Sequence, residues 1–279
     1  MRSKIVSFFR HLMTALIAFL GFGLCLSCLS VMEQRMGLVG KDRSLSREHR
    51  SVSIPHIAQN LSGVTWNPHT GTLFAVTNSP QAIYELTPGG RVLRRIALQG
   101  FSDTEDIAFI MDDRFAVVEE RRGMVRLLRI GPGTTLVRTE DCRTIDLGSR
   151  HEDNKGFESL FYDPLSRCLL TMRETPPYGL VSVPLDADGE SPSPSITPLQ
   201  TDVADVAALG RDSSGDLWIL SEASSCLARL DHGGRERYRI RIEPGTLPLE
   251  PEGLTFGTDG RVYVVGEPNT LLVTDLDNP

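Results

Sequence analysis

Three glutamates hold the same place in a short phrase that recurs five times along the chain. The phrase reads Ser62-Gly63-Val64-Thr65-Trp66, Glu105-Asp106-Ile107-Ala108-Phe109, Glu158-Ser159-Leu160-Phe161-Tyr162, Ala204-Asp205-Val206-Ala207-Ala208 and Glu252-Gly253-Leu254-Thr255-Phe256, with first residues 43, 53, 46 and 48 apart. Its first position carries Glu105, Glu158 and Glu252, with Ser62 and Ala204 as exceptions. A second polar set, Asn78, Glu120, Glu174, Glu222 and Glu267, closes the next apolar run of each unit. Asp103, Asp202, Asp205 and Glu250 stand near the starts of the phrase. Carboxylates at one recurrent point of a repeat converge if the repeat closes about an axis, and converging acids raise one another's pKa. A hard cation relieves that repulsion, and calcium accepts about six to eight oxygen ligands in loose geometry. No histidine stands at these positions, which disfavours zinc and copper.

The plainer reading of each glutamate is structural. A carboxylate at a strand start can accept neighbouring backbone amides or pair with arginines such as Arg121, Arg122 and Arg173. The sequence shows no Ser-His-Asp signature, no glycine-rich phosphate loop and no paired-cysteine metal motif.

The elements that must position the acids follow from the repeat. In the first unit Val64 and Trp66 alternate with polar neighbours, Asn67-Pro68-His69-Thr70-Gly71 turns, and Thr72–Val76 forms a second strand by its β-branched and aromatic content. Ala82–Leu86 and Val92–Ile96 supply a third and fourth strand, joined through Pro88-Gly89-Gly90. The other units copy this plan, with an insertion around 186–194 in the third. A repeat of this length marks an array or propeller. The expected fold is all-β, a five-bladed β-propeller of four-stranded blades over residues 51–279.

The fifth unit stops after its third strand, at Leu271–Leu276. Ser51–Ile57 precedes the first phrase as Val92–Leu98 precedes the second, so the N-terminal strand is expected to complete the last blade and close the ring. Closure leaves only short edges.

Residues 1–32 differ from the rest. No charge occurs from Leu12 to Met32, a run of 21 residues, and Arg2, Lys4 and Arg10 precede it. That is long enough for a membrane-spanning helix with a cytoplasmic N-terminus. A cleaved signal peptide or lipidation at Cys28 or Cys25 are the alternatives. Residues 33–50 read as a polar linker. The expectation is a propeller on the periplasmic side of the inner membrane, tethered by its N-terminal segment. Residues 51–279 carry 33 acidic and 21 basic side chains, a net charge of −12, which repels nucleic acid. The expected partners are the membrane and an unidentified small molecule or envelope protein. Cys142, Cys168 and Cys226 show no metal-ligand spacing; Cys168 and Cys226 read as buried apolar groups, with one disulfide left open.

The runs Leu61–Trp66 with Thr72–Asn78, Gly100–Asp106 with Phe115–Arg121, Gly156–Leu160 and Pro251–Phe256 resemble the SdiA-regulated, YjiK-like family over residues 51–279. The resemblance implies a five-bladed propeller distantly similar to NHL repeats, behind an N-terminal membrane segment. It also implies a calcium site, carried here to Glu105, Glu158, Glu252 and Glu120. Two functions fit. One is a calcium-binding or scaffolding module of the cell envelope. The other is a calcium-dependent hydrolase of lactones or phosphoesters, since gluconolactonase-like and phytase-like propellers use acid-lined channels. A catalytic reading needs a metal with an open coordination position and a base beside it, and no catalytic residue is assigned.

Overall fold

The computed structural model describes residues 43–44, 49–148, 156–185, 193–242 and 250–276, all within one compact unit, Asp42–Pro279. The expected membrane segment, most of the linker and most of the insertion of the third unit lie outside the described residues. Among the described residues no helix is long and apolar enough to cross a membrane.

Five antiparallel sheets are present, one per repeat. Blade 1 runs Leu61–Asn67, Thr72–Thr77, Ala82–Leu86 and Val92–Gln99 from axis to rim. Blade 2 runs Thr104–Met111, Arg114–Glu119, Met124–Arg129 and Arg143–Asp146. Blade 3 uses Phe157–Asp163, Cys168–Arg173, Gly179–Pro184 and Ser195–Pro198. Blade 4 uses Ala208–Arg211, Leu217–Ser221, Cys226–Leu230 and Glu236–Arg241. Blade 5 takes Pro251–Phe256, Arg261–Gly266 and Thr270–Asp275 from the C-terminal end of the chain, and Arg50–Ser53 from the N-terminal end. Arg50 faces Val273 and Ser53 faces Thr270 in that antiparallel pair, which closes the ring as expected. The strand is shorter than Ser51–Ile57, because Ile54 and Ile57 leave the ladder and enter the core between blades 5 and 1.

Every blade is covered on both faces, and the second strands show how. Leu73 and Ala75 pack toward blade 5 while Phe74 and Val76 pack toward blade 2. Val262 and Val264 pack toward blade 4 while Tyr263 and Val265 pack toward blade 1. Alternate side chains of one strand thus feed two neighbouring interfaces, and strand Thr72–Thr77 is buried throughout. Apolar runs without polar alternation are what sandwiched strands require.

Two short parallel strands cover rim edges. Leu136–Arg138, from an excursion of blade 2, pairs with Ala97–Gln99 of blade 1. Arg43–Ser44 pairs with Ile240–Arg241 of blade 4, so part of the expected linker carries a ladder. The outer strand of blade 2 begins at Arg143, and Asp141 sits in a short 3-10 turn ahead of it. Cys142, Cys168 and Cys226 are free thiols, the last two buried. Burial pushes the Cys142 and Cys226 thiols up to about 11.

Candidate metal centre

A backbone irregularity aims the repeated position of the phrase. The ladder between first and second strands skips one residue in blades 1, 2, 3 and 5, at Ser62, Glu105, Glu158 and Glu252 respectively. A bulge leaves its extra residue unpaired and turns the side chain out of the pleat. The three glutamates therefore share one backbone device as well as one sequence position.

Blade 4 requires a correction. Ala208 faces Leu220, the penultimate residue of its second strand, as Gly63 faces Val76 and Ser159 faces Met172. The Ala207 amide also donates to the Leu220 carbonyl, at 3.0 Å. The equivalent residue is Ala207, three places beyond Ala204, and Ala204 is exposed. Asp205-Val206-Ala207 imitates Asp106-Ile107-Ala108, and that imitation shifts the alignment. Corrected, Asn60, Asp103, Gly156, Asp205 and Glu250 form a second regular set, two residues before each bulge position.

The mouth is densest around blade 2. One carboxylate oxygen each of Asp103, Glu105 and Glu120 lie within 4.8 Å of one another. The Asn78 amide donates to Glu105 Oε1 at 2.6 Å and reaches Asp103 Oδ1 at 3.5 Å. Ser62 hydrogen-bonds the Glu105 side chain. Asp103 is held in the left-handed region at φ 56° and accepts the Arg121 amide and its Nε, each at 3.2 Å. The Gly156 amide donates to Glu120 Oε1 at 2.7 Å. A Cβ at Gly156 would stand 2.6 Å from Glu120 Cγ and 2.7 Å from its carbonyl oxygen, so only glycine lets blade 3 approach this closely.

The charges feel one another across the ring. Burial, then Glu120, Asp103 and Glu252, push the Glu105 carboxyl up to about 8. Burial, then Glu174, Glu120, Glu252 and Glu105, push Glu158 up to about 10. Glu252 rises to about 8 through burial, then Glu222, Glu267, Glu250 and Asp205. Burial also raises Glu120, Glu222 and Glu267. Near neutral pH the mouth thus holds protons that a bound cation would displace.

Other expected members of the mouth have local duties. Asp205 accepts the Ser221 hydroxyl and the Ala223 amide. Asp202 is exposed and pairs with Arg239 of the outermost strand of blade 4, which draws it toward the rim. The Glu174 amide donates to the Gly156 carbonyl at 3.2 Å, and its carbonyl accepts Val206. Of the arginines, Arg122 pairs with buried Glu119, and Arg173 lies 5.7 Å above the Phe157 ring.

Two groups at the site escape a reading of the repeat. Asp106 follows Glu105 but is fully enclosed, taking the Leu160 amide at 2.7 Å and the Ile107 amide at 2.8 Å. The Val64 amide binds it as well, so one carboxyl ties the inner strands of blades 1, 2 and 3. Burial pushes it well above the usual range, against the pull of the three amides. The Tyr178 hydroxyl donates to the Val203 carbonyl at 3.1 Å, and burial with Asp205 and Glu174 pushes it up to about 12. The signal for Asp106 was an acid at a position that is Gly63, Ser159 and Gly253 elsewhere; Tyr178 carried none.

The SdiA-regulated family model matches residues 45–274. The chain belongs to the SdiA-regulated family. Solved structures agree on the fold of this family member. Glutaminyl cyclase of Myxococcus xanthus aligns with a TM-score of 0.58 at 15% identity, covering 82% of this chain and 96% of that chain. A putative gluconolactonase aligns at 0.53 and 12% identity, covering 83% and 93%. A chain of a nidogen–laminin complex aligns at 0.52 and 15% identity, covering 75% and 73%. At such identities the likeness is one of architecture. The fold serves named enzymes and a protein complex alike, so function rests on the site.

For a metal, the donor set is chemically coherent. It consists of carboxylate oxygens with an amide and a hydroxyl beside them, which suits a hard cation and no soft one.

Proposed function

We propose that this SdiA-regulated propeller binds calcium at its acidic mouth and acts as a binding or scaffolding module of the cell envelope. Its N-terminal segment would tether it on the periplasmic side of the inner membrane. The observation that carries the reading is the Asp103, Glu105 and Glu120 cluster within 4.8 Å. Arg121, Asn78 and the Gly156 amide offset only part of the repulsion among carboxyls packed this closely, and a divalent ion removes the rest. Glu105 and Glu120 would hold the ion, Asn78 and Ser62 would orient Glu105, and Glu158 and Glu252 would answer its charge by giving up protons. Calcium is favoured over magnesium because the Asp103, Glu105 and Glu120 oxygens, within 4.8 Å of one another, make a loose cage, whereas magnesium demands near-octahedral geometry.

Calorimetric titration with calcium tests this. A saturable exothermic or endothermic isotherm is expected, with a rise in melting temperature that grows with the logarithm of free calcium. Neither heat nor a rise would contradict it.

A second reading, a cation-dependent hydrolase, draws on Glu158. Burial and the surrounding glutamates push that carboxyl up to about 10 before any ion binds, the direction a general acid needs. Lactone and phosphoester panels distinguish the two. Turnover that Glu158→Gln abolishes supports the hydrolase, and absence of turnover with intact calcium binding supports the module.

A further inference from the structure

The opposite end of the inner strands carries a different surface. The hairpin Met111–Arg114 joins the first two strands of blade 2 there, and the excursion through Leu136–Arg138 leaves blade 2 to pair with blade 1. Between that excursion and blade 3 lies an open groove of about 860 Å³. Its floor includes Phe115, Leu128 and Tyr162, which are at least nine-tenths buried. Its lips include Met111, 40% exposed, and Leu136, 36% exposed, two of the large apolar side chains most open to water among the described residues.

The charge of the groove is opposite to that of the domain. Arg114, Arg129, Arg143 and Arg167 line it, against Asp141 as the one acid among the described lining residues. The domain as a whole carries a net charge of −12 over residues 51–279, so a groove lined by four arginines and one acid runs against its overall field. Arg129 also reaches Asp113 at 2.7 Å, an exposed pair that water screens. The volume falls within the range of small-molecule sites, about 300–1,000 Å³. An apolar floor beneath an arginine rim selects a ligand with both characters, since guanidinium groups chelate carboxylate and phosphate oxygens.

We propose that this groove is a binding site for a monomeric anionic amphiphile, a single alkyl chain ending in one phosphate or carboxylate group. The chain would lie over Phe115 and Leu128 with its head among the arginines. The site is independent of the acidic mouth, so its failure leaves the cation proposal standing.

The test is calorimetric titration of the full chain with dodecyl phosphate below its micelle concentration, in chelator, with inorganic phosphate and dodecyl maltoside as the head and chain alone. Dodecyl phosphate is expected to bind one to one and the two controls to give no isotherm. The Arg114→Glu, Arg167→Glu double variant should weaken binding at least about tenfold, the loss of one charge-assisted bond. Leu136→Asp should weaken it as well, which keeps the test open if the double variant does not fold. Unchanged affinity in folded variants, equal binding of dodecyl maltoside or of inorganic phosphate, or no binding at all would each overturn the proposal.

Discussion

Glu105→Gln removes a charge while keeping the shape of the side chain, and its effect on stability has a definite sign and size. The folded protein holds the Glu105 carboxyl at about 8 against an ordinary value of 4.5. The folded state therefore keeps a proton that the unfolded chain releases. Its stabilising contribution is fully present below the unfolded value and is lost as pH rises toward 8. Integrated to pH 7.5, the loss is about 4 kcal/mol, and water at the partly open mouth screens this to about 2 kcal/mol. Glutamine does not titrate, so the variant escapes the loss. In chelator at pH 7.5 it should melt about 4–8 °C above the wild type, at about 2–4 °C per kcal/mol for a domain of this size. At pH 4 the two should melt together. Millimolar calcium should reverse the order by raising the wild type and leaving the variant nearly unmoved. Differential scanning calorimetry at both pH values, with and without calcium, reads all four states. A wild type equally stable at both pH values in chelator, with no gain in the variant, would refute the reasoning.

The other predictions concern the same ring. Calcium binding at pH 7 should release between about one and three protons, because Glu105, Glu158 and Glu252 are all raised above that pH; titration in buffers of different ionisation enthalpy counts them, and no release would contradict the reading. Asp106→Ala strands the Leu160, Ile107 and Val64 amides in the core and should cost about 3–5 kcal/mol in denaturant melts, with Asp106→Asn milder. Gly156→Ala drives a Cβ against the Glu120 carbonyl as well as its side chain, and should weaken calcium binding about tenfold or more in the same calorimetric assay and lower the melting temperature as well. Asp163→Ala leaves the Arg211 guanidinium without its carboxylate partner at 3.0 Å between blades 3 and 4, and should cost about 3 kcal/mol.

Architecture was legible because each blade must solve the same problem. Strand Thr72–Thr77 needs apolar side chains on both faces, and that demand writes the same pattern five times. Closure was legible too, since blade 5 lacks a rim strand and residues 50–53 have no other partner nearby in sequence. The site was legible only in part. Recurrence marked Glu105, Glu158 and Glu252, yet the bulge that aims them is a backbone event with no residue of its own. Ala204 stood in for Ala207 because Asp205-Val206-Ala207 imitates Asp106-Ile107-Ala108 in the wrong register. Asp202 looked like a neighbour of the mouth, but Arg239 lies on the rim strand beside it, a proximity that only the folded ladder creates. Asp106 reads as one acid among many until its three amides are seen.

The decisive measurement is a crystal structure of the protein grown in calcium. One peak is expected in contact with Glu105 and Glu120, at about 2.3–2.6 Å from their oxygens, and absent when crystals of Glu105→Gln are grown in the same way. A calcium ion bound elsewhere on the ring, or none at saturating concentration, would contradict it.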